Sequence, residues 1–261
     1  MARFGQEGVI ANPVLRTFAD GRLFGSVTGA EAPRVLALHG WARSHRDFDA
    51  IMTTDGAVPL PALALDLPGF GASPPPPEAW GAGAYADAVA AVLDDMACPV
   101  VVLGHSFGGR VALHLAVQRP DAVRALVLTG APVLHPLRRS GRVALAYRVT
   151  RRLYRMGVVS EEAMEAARQR FGSVDYRAAH GVMREVLVRS VNETDEAQLD
   201  AVRCPVHLVW GADDTAAPLD VAERALARLA DGVLDVHPGV GHMTPLLIPS
   251  ALRAAVVSCA S

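Results

Sequence analysis

The sequence predicts an α/β fold, a mostly parallel sheet covered on both faces by helices and interrupted once by a helical insertion. Three observations carry this reading. Short, continuously apolar runs alternate with helical patterns, as in Arg34-Val35-Leu36-Ala37-Leu38-His39 and Pro61-Ala62-Leu63-Ala64-Leu65-Asp66. Strands with no polar face belong to sheets buried on both sides. One such run, Pro99-Val100-Val101-Val102-Leu103, passes through Gly104-His105-Ser106-Phe107-Gly108-Gly109 into a helical pattern. Between Ala131 and Asp200 the alternation stops, and charge-rich helical segments replace it.

In chain order, Val14 to Thr28 alternates weakly around Asp20-Gly21, a hairpin turn signal. The strand from Arg34 ends in His39-Gly40-Trp41, and a loop with a short helix follows from Ser44 to Met52. The strand from Pro61 runs into the turn-rich Leu67-Pro68-Gly69-Phe70-Gly71-Ala72-Ser73, then Pro74 to Pro77, read as a stiff surface loop. Tyr85, Val89, Val92, Leu93 and Met96 have helical spacing, so a helix is expected over Tyr85 to Met96. Ala122 to Leu128 reads as a strand. After the insertion come strand Val206 to Trp210, helix Leu219 to Leu229, strand Val233 to His237 and helix Pro249 to Val257. Inside the insertion, helices are expected over Arg138 to Met156, Ser160 to Phe171 and His180 to Ser190. The division is therefore a core of residues 1–130 and 201–261 and a helical cap of residues 131–200.

Composition narrows the function. Half of the 261 residues are apolar, enough for a sizeable core. A net charge of −2 argues against a nucleic-acid binder. All 25 basic residues are arginine. Cys98, Cys204 and Cys259 have neither metal-ligand spacing nor a disulfide pattern, and read as small apolar residues in a reducing compartment. No charged leader with an apolar core opens the chain, and no run approaches the ~18 apolar residues of a membrane span. The expectation is a cytoplasmic protein with no stable membrane insertion; nothing in the sequence sets its oligomeric state.

The chemistry centres on Ser106. A serine between two glycines at a strand-to-helix junction is a nucleophile elbow, which exposes Oγ on a strained turn beside a helix N-terminus. A serine hydroxyl needs a base in hydrogen-bond reach and a carboxylate to orient that base. His242, in the turn Gly239-Val240-Gly241-His242 between the last strand and last helix, is the expected base. The acid is Asp213 or Asp214, both just after the strand ending at Trp210, and spacing alone does not choose between them. Asp66 also ends a strand but precedes the serine, and reads as an anchor of its own turn. The backbone N–H groups of Phe107 and Trp41 are the expected oxyanion donors. His39 and His105 border these motifs and are read as shaping the oxyanion pocket or buttressing the turn. No role is assigned to His45, His114, His135, His180, His207 or His237.

Together, His39-Gly40, Asp66 to Ser73, Gly104 to Gly109, Trp210-Gly211-Ala212-Asp213-Asp214 and Gly241-His242 resemble the α/β-hydrolase superfamily over nearly the whole chain. The resemblance implies an eight-stranded, mostly parallel sheet with the cap after the sixth strand. It selects Asp214, three residues after the glycine that ends its strand. Ser106 stands where dehalogenases and epoxide hydrolases of this fold carry aspartate. Trp41-Ala42-Arg43-Ser44 lacks the longer glycine-rich run of the carbon–carbon bond hydrolases, and the double glycine and proline of proline iminopeptidases are also absent. His39-Gly40-Trp41 with Gly104 to Gly109 looks like the small carboxylesterases, including those acting on carrier-bound esters, and this resemblance implies a small-molecule acyl substrate and no metal or cofactor. The alternatives are a carbon–carbon bond hydrolase, an acyltransferase or thioesterase of the same fold, and a non-catalytic ligand-binding member. The first cap helix carries Arg138, Arg139, Arg142, Arg148, Arg151, Arg152 and Arg155 beside Leu145, Val149 and Leu153. It is read either as an exposed basic face or as a face attracting an anionic substrate, carrier or membrane surface.

Overall fold

The computed structural model describes residues 13–53, 58–97, 99–137, 145–171 and 173–260. The strands are β1 (Val14–Phe18), β2 (Leu23–Thr28), β3 (Val35–Leu38), β4 (Ala62–Asp66), β5 (Val100–His105), β6 (Val123–Thr129), β7 (Val206–Gly211) and β8 (Gly232–His237). They form one eight-stranded sheet in the order β1-β2-β4-β3-β5-β6-β7-β8. Among the described strands β2 alone is antiparallel to the rest, so its pairings with β1 and β4 are antiparallel and the other five pairings are parallel. The expected hairpin is present, and Ala19, Asp20 and Gly21 all take positive φ in its turn.

The core helices are α1 (Asp49–Met52), α2 (Ala82–Ala90), α3 (Phe107–Gln118), and, after the insertion, α9 (Leu219–Leu226), α10 (Thr244–Leu247) and α11 (Pro249–Ala260). The insertion contributes α4 (Leu145–Arg155), α5 (Glu161–Phe171), α6 (Val174–Ala178), α7 (Gly181–Ser190) and α8 (Glu196–Ala201), all between β6 and β7. No helix among the described residues is long and apolar enough to cross a membrane.

The apolar strands are buried on both faces, and the period-2 alternation of a strand divides them between two cores. Leu36, Leu38, Leu63, Leu65, Val102 and Leu126 pack with residues of α2, α3 and α9. Val35, Ala37, Ala62, Ala64, Val101, Leu103 and Val127 pack on the other face with Ile51, Met52, Leu252 and Val256 of α1 and α11. Each fully buried Leu or Val removes enough apolar area to stabilise the fold by about 1.5–3 kcal/mol before entropy is counted. Edge strand β8 is half exposed, and Val233 and Val236 face solvent.

Some boundaries differ from the sequence reading. The helix expected over Tyr85 to Met96 begins earlier, at Ala82, and its α-helical part ends at Ala90. Its last turns tighten, with Val92 N–H donating to Val89 and Asp95 N–H to Val92, a common way for helix ends to close. The helix after Ser106 starts at once, at Phe107, and β5 extends through His105. The short helices α6, α8 and α10 are too brief to produce a readable period. In the expected helix Arg138 to Met156, residues 138–144 lie outside the described residues, as does Cys98. Cys204 and Cys259 are free thiols, and burial raises the pKa of both, Cys204 to about 11.

Candidate active site

Ser106 sits between the end of β5 and the first residue of α3, with φ 51° and ψ −117°. A positive φ is costly for a residue with a Cβ, and the turn around it removes side chains wherever they would obstruct it. A Cβ on Gly104 would lie 2.5 Å from Gly109 Cα, and one on Gly108 would overlap the Leu38 carbonyl. The Ser106 N–H donates to the Thr129 carbonyl at 2.9 Å, which ties the turn to β6.

The structure brings Ser106, His242 and Asp214 into one hydrogen-bonded chain. His242 Nε2 lies 3.0 Å from Ser106 Oγ, and His242 Nδ1 lies 2.8 Å from Asp214 Oδ2. The Asp214 carboxylate is buried, and its second oxygen accepts the Ala216 and Ala217 N–H groups, both at 2.8 Å. Those two bonds hold the carboxylate so that the imidazole Nδ1 must be the protonated nitrogen, leaving Nε2 to accept from Ser106. Asp213, left open by spacing, is exposed and outside this chain.

The other expected donors stand nearby. Phe107 opens α3, and neither its N–H nor that of Trp41 is donated to an acceptor among the described residues. Gly40, just before Trp41, approaches the elbow so closely that a Cβ there would lie 3.2 Å from Ser106 Cβ. The Trp41, Phe70 and Phe107 rings pack edge to face, with Trp41–Phe70 centroids 4.9 Å apart, and Tyr85 adds a further edge on Phe107 at 5.0 Å. Asp66 is an anchor, as expected. Its carboxylate accepts from the His45 and Ala72 N–H groups and from the His45 ring, and its carbonyl accepts from Ser73 Oγ. His39 is fully buried, donates Nδ1–H to the Gly40 carbonyl and accepts the Leu67 N–H. It therefore buttresses the turns and presents no free nitrogen.

His105 has a more specific place. It is 1% exposed, and its Nε2–H donates 2.9 Å to the His242 carbonyl, joining the elbow to the His242 loop. The same carbonyl accepts the Thr244 N–H, and Thr244 Oγ1 bonds Thr129 Oγ1 at 2.6 Å. His105 Nδ1 is buried and has no hydrogen-bond partner among the described residues. Burial first, and the neighbouring His242 second, lower the His105 pKa to about 4. The sign follows from linkage. The unfolded chain takes up this proton near pH 6.5 and the folded one only near pH 4, so the stability held above pH 6.5 is lost as pH falls through that window. Lowering the pH from 7 to 5 is expected to cost about 2 kcal/mol through this one residue. Urea unfolding of the wild type and His105→Gln at the two pH values checks it: the variant should show a smaller loss, and an equal loss would remove His105 as the cause.

Three features of the site were missed by sequence reasoning. Gly130, at φ 56°, passes so close that a Cβ there would lie 3.1 Å from the His242 ring and 3.2 Å from Asp214 Oδ2. Thr244 was unassigned. Arg110, on the first turns of α3, is 1% exposed and ion-paired with the equally buried Asp195 of the insertion's return segment, Nε to Oδ2 at 2.6 Å. Only Gly130 had a sequence signal, a glycine directly after a strand end.

The chain matches the alpha/beta hydrolase family over residues 35–255. Among characterised proteins it is 29% identical over 225 residues to a pimeloyl-[acyl-carrier protein] methyl ester esterase of Neisseria meningitidis, covering 80% of this chain and 70% of that protein. It is 28% identical over 220 residues to a 2-hydroxy-6-oxononadienedioate/2-hydroxy-6-oxononatrienedioate hydrolase of a Pseudomonas species, covering 78% and 76%. The fold is similar to that of a thermophilic esterase from Thermogutta terrifontis, with a TM-score of 0.63, 22% identity and coverage of 96% of this chain and 100% of that one. With the elbow, the strand order and a family match spanning most of its length, the chain belongs to the alpha/beta hydrolase family.

Proposed function

We propose that the protein is a serine esterase that cleaves small or medium acyl esters through an acyl-enzyme on Ser106. The observation that carries this reading is the hydrogen-bonded chain from Ser106 Oγ through His242 to Asp214, mounted on a strained turn at a helix N-terminus. Ser106 Oγ attacks the ester carbonyl carbon while His242 Nε2 takes its proton. The carbonyl π electrons move to oxygen, and the Trp41 and Phe107 N–H groups receive the oxyanion. Collapse expels the alkoxide, which His242 protonates. Water, deprotonated by His242, then attacks the acyl carbon and releases the acid and Ser106. Asp214 stays ionised throughout and keeps the imidazole in its productive tautomer.

Residues 131–200 act in this reading as a cap that selects the acyl group. Support comes from α7, where Met183 packs against Gly69 and lies 4.0 Å from the Tyr85 hydroxyl, beside the aromatic group that borders Phe107. The relative that hydrolyses a methyl ester on an acyl carrier makes acyl methyl esters the first substrates to assay. The relative that hydrolyses an oxo-dienedioate makes carbon–carbon cleavage the competing reaction.

The test is a fluorophosphonate probe followed by a panel of esters, thioesters, lactones and vinylogous diketones. Labelling should map to Ser106, and the esters should give the highest kcat/KM. Absence of labelling would sink the catalytic reading, and faster turnover of the diketones would replace the ester with a carbon–carbon bond. Asp214→Asn should keep the fold and lower kcat by about 10³- to 10⁴-fold, because the amide can donate to Nδ1 and impose the wrong tautomer. Steady-state kinetics on one aryl ester checks it.

A further inference from the structure

The insertion holds a cavity of about 410 Å³ that the esterase reading does not use. That volume lies within the ~300–1,000 Å³ range of small-molecule pockets. None of Ser106, His242, Asp214, Trp41 or Phe107 lines it. Helix α7 stands between: Val186 belongs to the core cluster and Met183 packs against that cluster, whereas Leu187 and Val188 face the cavity.

The lining has two chemically distinct parts. Met164 and Leu187, both buried, form an apolar floor that continues through Val188 and Val191 to the rim. Arg151 and Arg155, both exposed, also line the cavity and lie one turn apart on α4. Among the described residues neither has an ion-pair partner. Arg168 also lines the cavity, but its charge is already met by Glu161 at 2.6 Å and Glu165 at 3.5 Å. Two unpaired guanidinium forks a turn apart suit one carboxylate or phosphate head, and the floor suits an alkyl chain.

We propose that this cavity is a second binding site, for an amphipathic anion whose alkyl chain lies on Met164, Leu187, Val188 and Val191 and whose head is held by Arg151 and Arg155. A straight-chain carboxylate meets both requirements. The site is independent of the chemistry at Ser106, so its test reads binding and stands whether or not the esterase reading does.

Calorimetric titration of the full chain with decanoate, kept below its micellar concentration, tests the assignment against two partial mimics, decanol and inorganic phosphate. Decanoate should bind saturably, one per chain, and at least tenfold more tightly than either mimic. The double variant Arg151→Ala/Arg155→Ala and the cavity-filling Val188→Trp should each weaken decanoate at least tenfold. All of the arginine sites replaced are exposed, so that variant is expected to fold; an unchanged urea midpoint certifies it, and it decides the question alone if Val188→Trp does not fold. Equal binding of decanol would leave only an apolar groove, and equal binding of phosphate only a surface anion site. Unchanged decanoate affinity in a folded variant would move the ligand elsewhere, including to Ser106. Each of these outcomes, or no saturable binding at all, overturns the proposal.

Discussion

Replacing Ser106 with alanine is expected to lower kcat/KM toward a small aryl ester by roughly 10⁴- to 10⁶-fold while leaving the urea midpoint almost unchanged. The activity loss follows because the acyl-enzyme cannot form, and only the oxyanion donors and binding remain. Stability should hold because alanine removes one oxygen whose bond is to His242, and because the positive φ penalises serine and alanine alike. His105, Thr129 and Thr244 hold the surrounding loops without Oγ. Initial rates at saturating and subsaturating ester, with denaturation on the same preparations, check both halves. A variant that retains wild-type turnover would end the covalent mechanism; one that unfolds would mean that the elbow depends on Oγ.

Replacing Asp195 with alanine is expected to cost about 3–5 kcal/mol of stability, the usual result of leaving one member of a buried ion pair behind. Its carboxylate accepts Arg110 Nε at 2.6 Å, Arg110 Nη2 at 3.0 Å and His114 Nε2 at 2.9 Å. Desolvation alone would raise the Asp195 pKa, but bonds from His114 and Arg110 outweigh it and hold the carboxyl below its ordinary value. Without it, the Arg110 guanidinium keeps the Ser190 carbonyl and hydroxyl and a 3.7 Å approach from Glu193. Those contacts do not balance a charge with 1% exposure. The double variant Arg110→Met/Asp195→Leu should recover much of the loss, since removing both charges also removes their desolvation cost. Urea midpoints of the wild type, Arg110→Met, Asp195→Leu and the double variant complete the cycle; a loss below about 1 kcal/mol for Asp195→Ala would show that water reaches the pair.

The legible parts of the chain were those whose pattern is local. Strands buried on both faces leave continuous apolar runs, so β3, β4, β5 and β6 could be placed from sequence within a residue or two. The elbow could be read because two glycines and a serine meet a steric demand within five residues. Asp214 and His242 could be ranked because they follow strand ends, yet the choice of Asp214 over Asp213 needed resemblance, since adjacent residues differ in direction and not in sequence position. Arg110 and Asp195 could not be paired, because they are 85 residues apart and neither charge carries a periodic signal. His105 was placed correctly beside the elbow, but its bond to the His242 carbonyl spans 137 residues and exists only in the folded chain. The helices of the insertion gave a composition without a location, and so the cavity between α4, α5 and α7 was invisible.

The segment that leaves β6 and the segment that returns toward β7 meet directly: the Asp195 N–H donates to the Val133 carbonyl at 2.8 Å. The sixty-odd residues between them therefore form a loop closed at its neck, and the Asp195–Arg110 pair pins that neck to α3, the helix that follows Ser106. Lengthening such a loop adds closure entropy only logarithmically, about 0.6 kcal/mol for each doubling. The neck thus works as a graft junction: by this scaling, a change in the length of what hangs from it is expected to cost little while β6, β7 and the elbow keep their register.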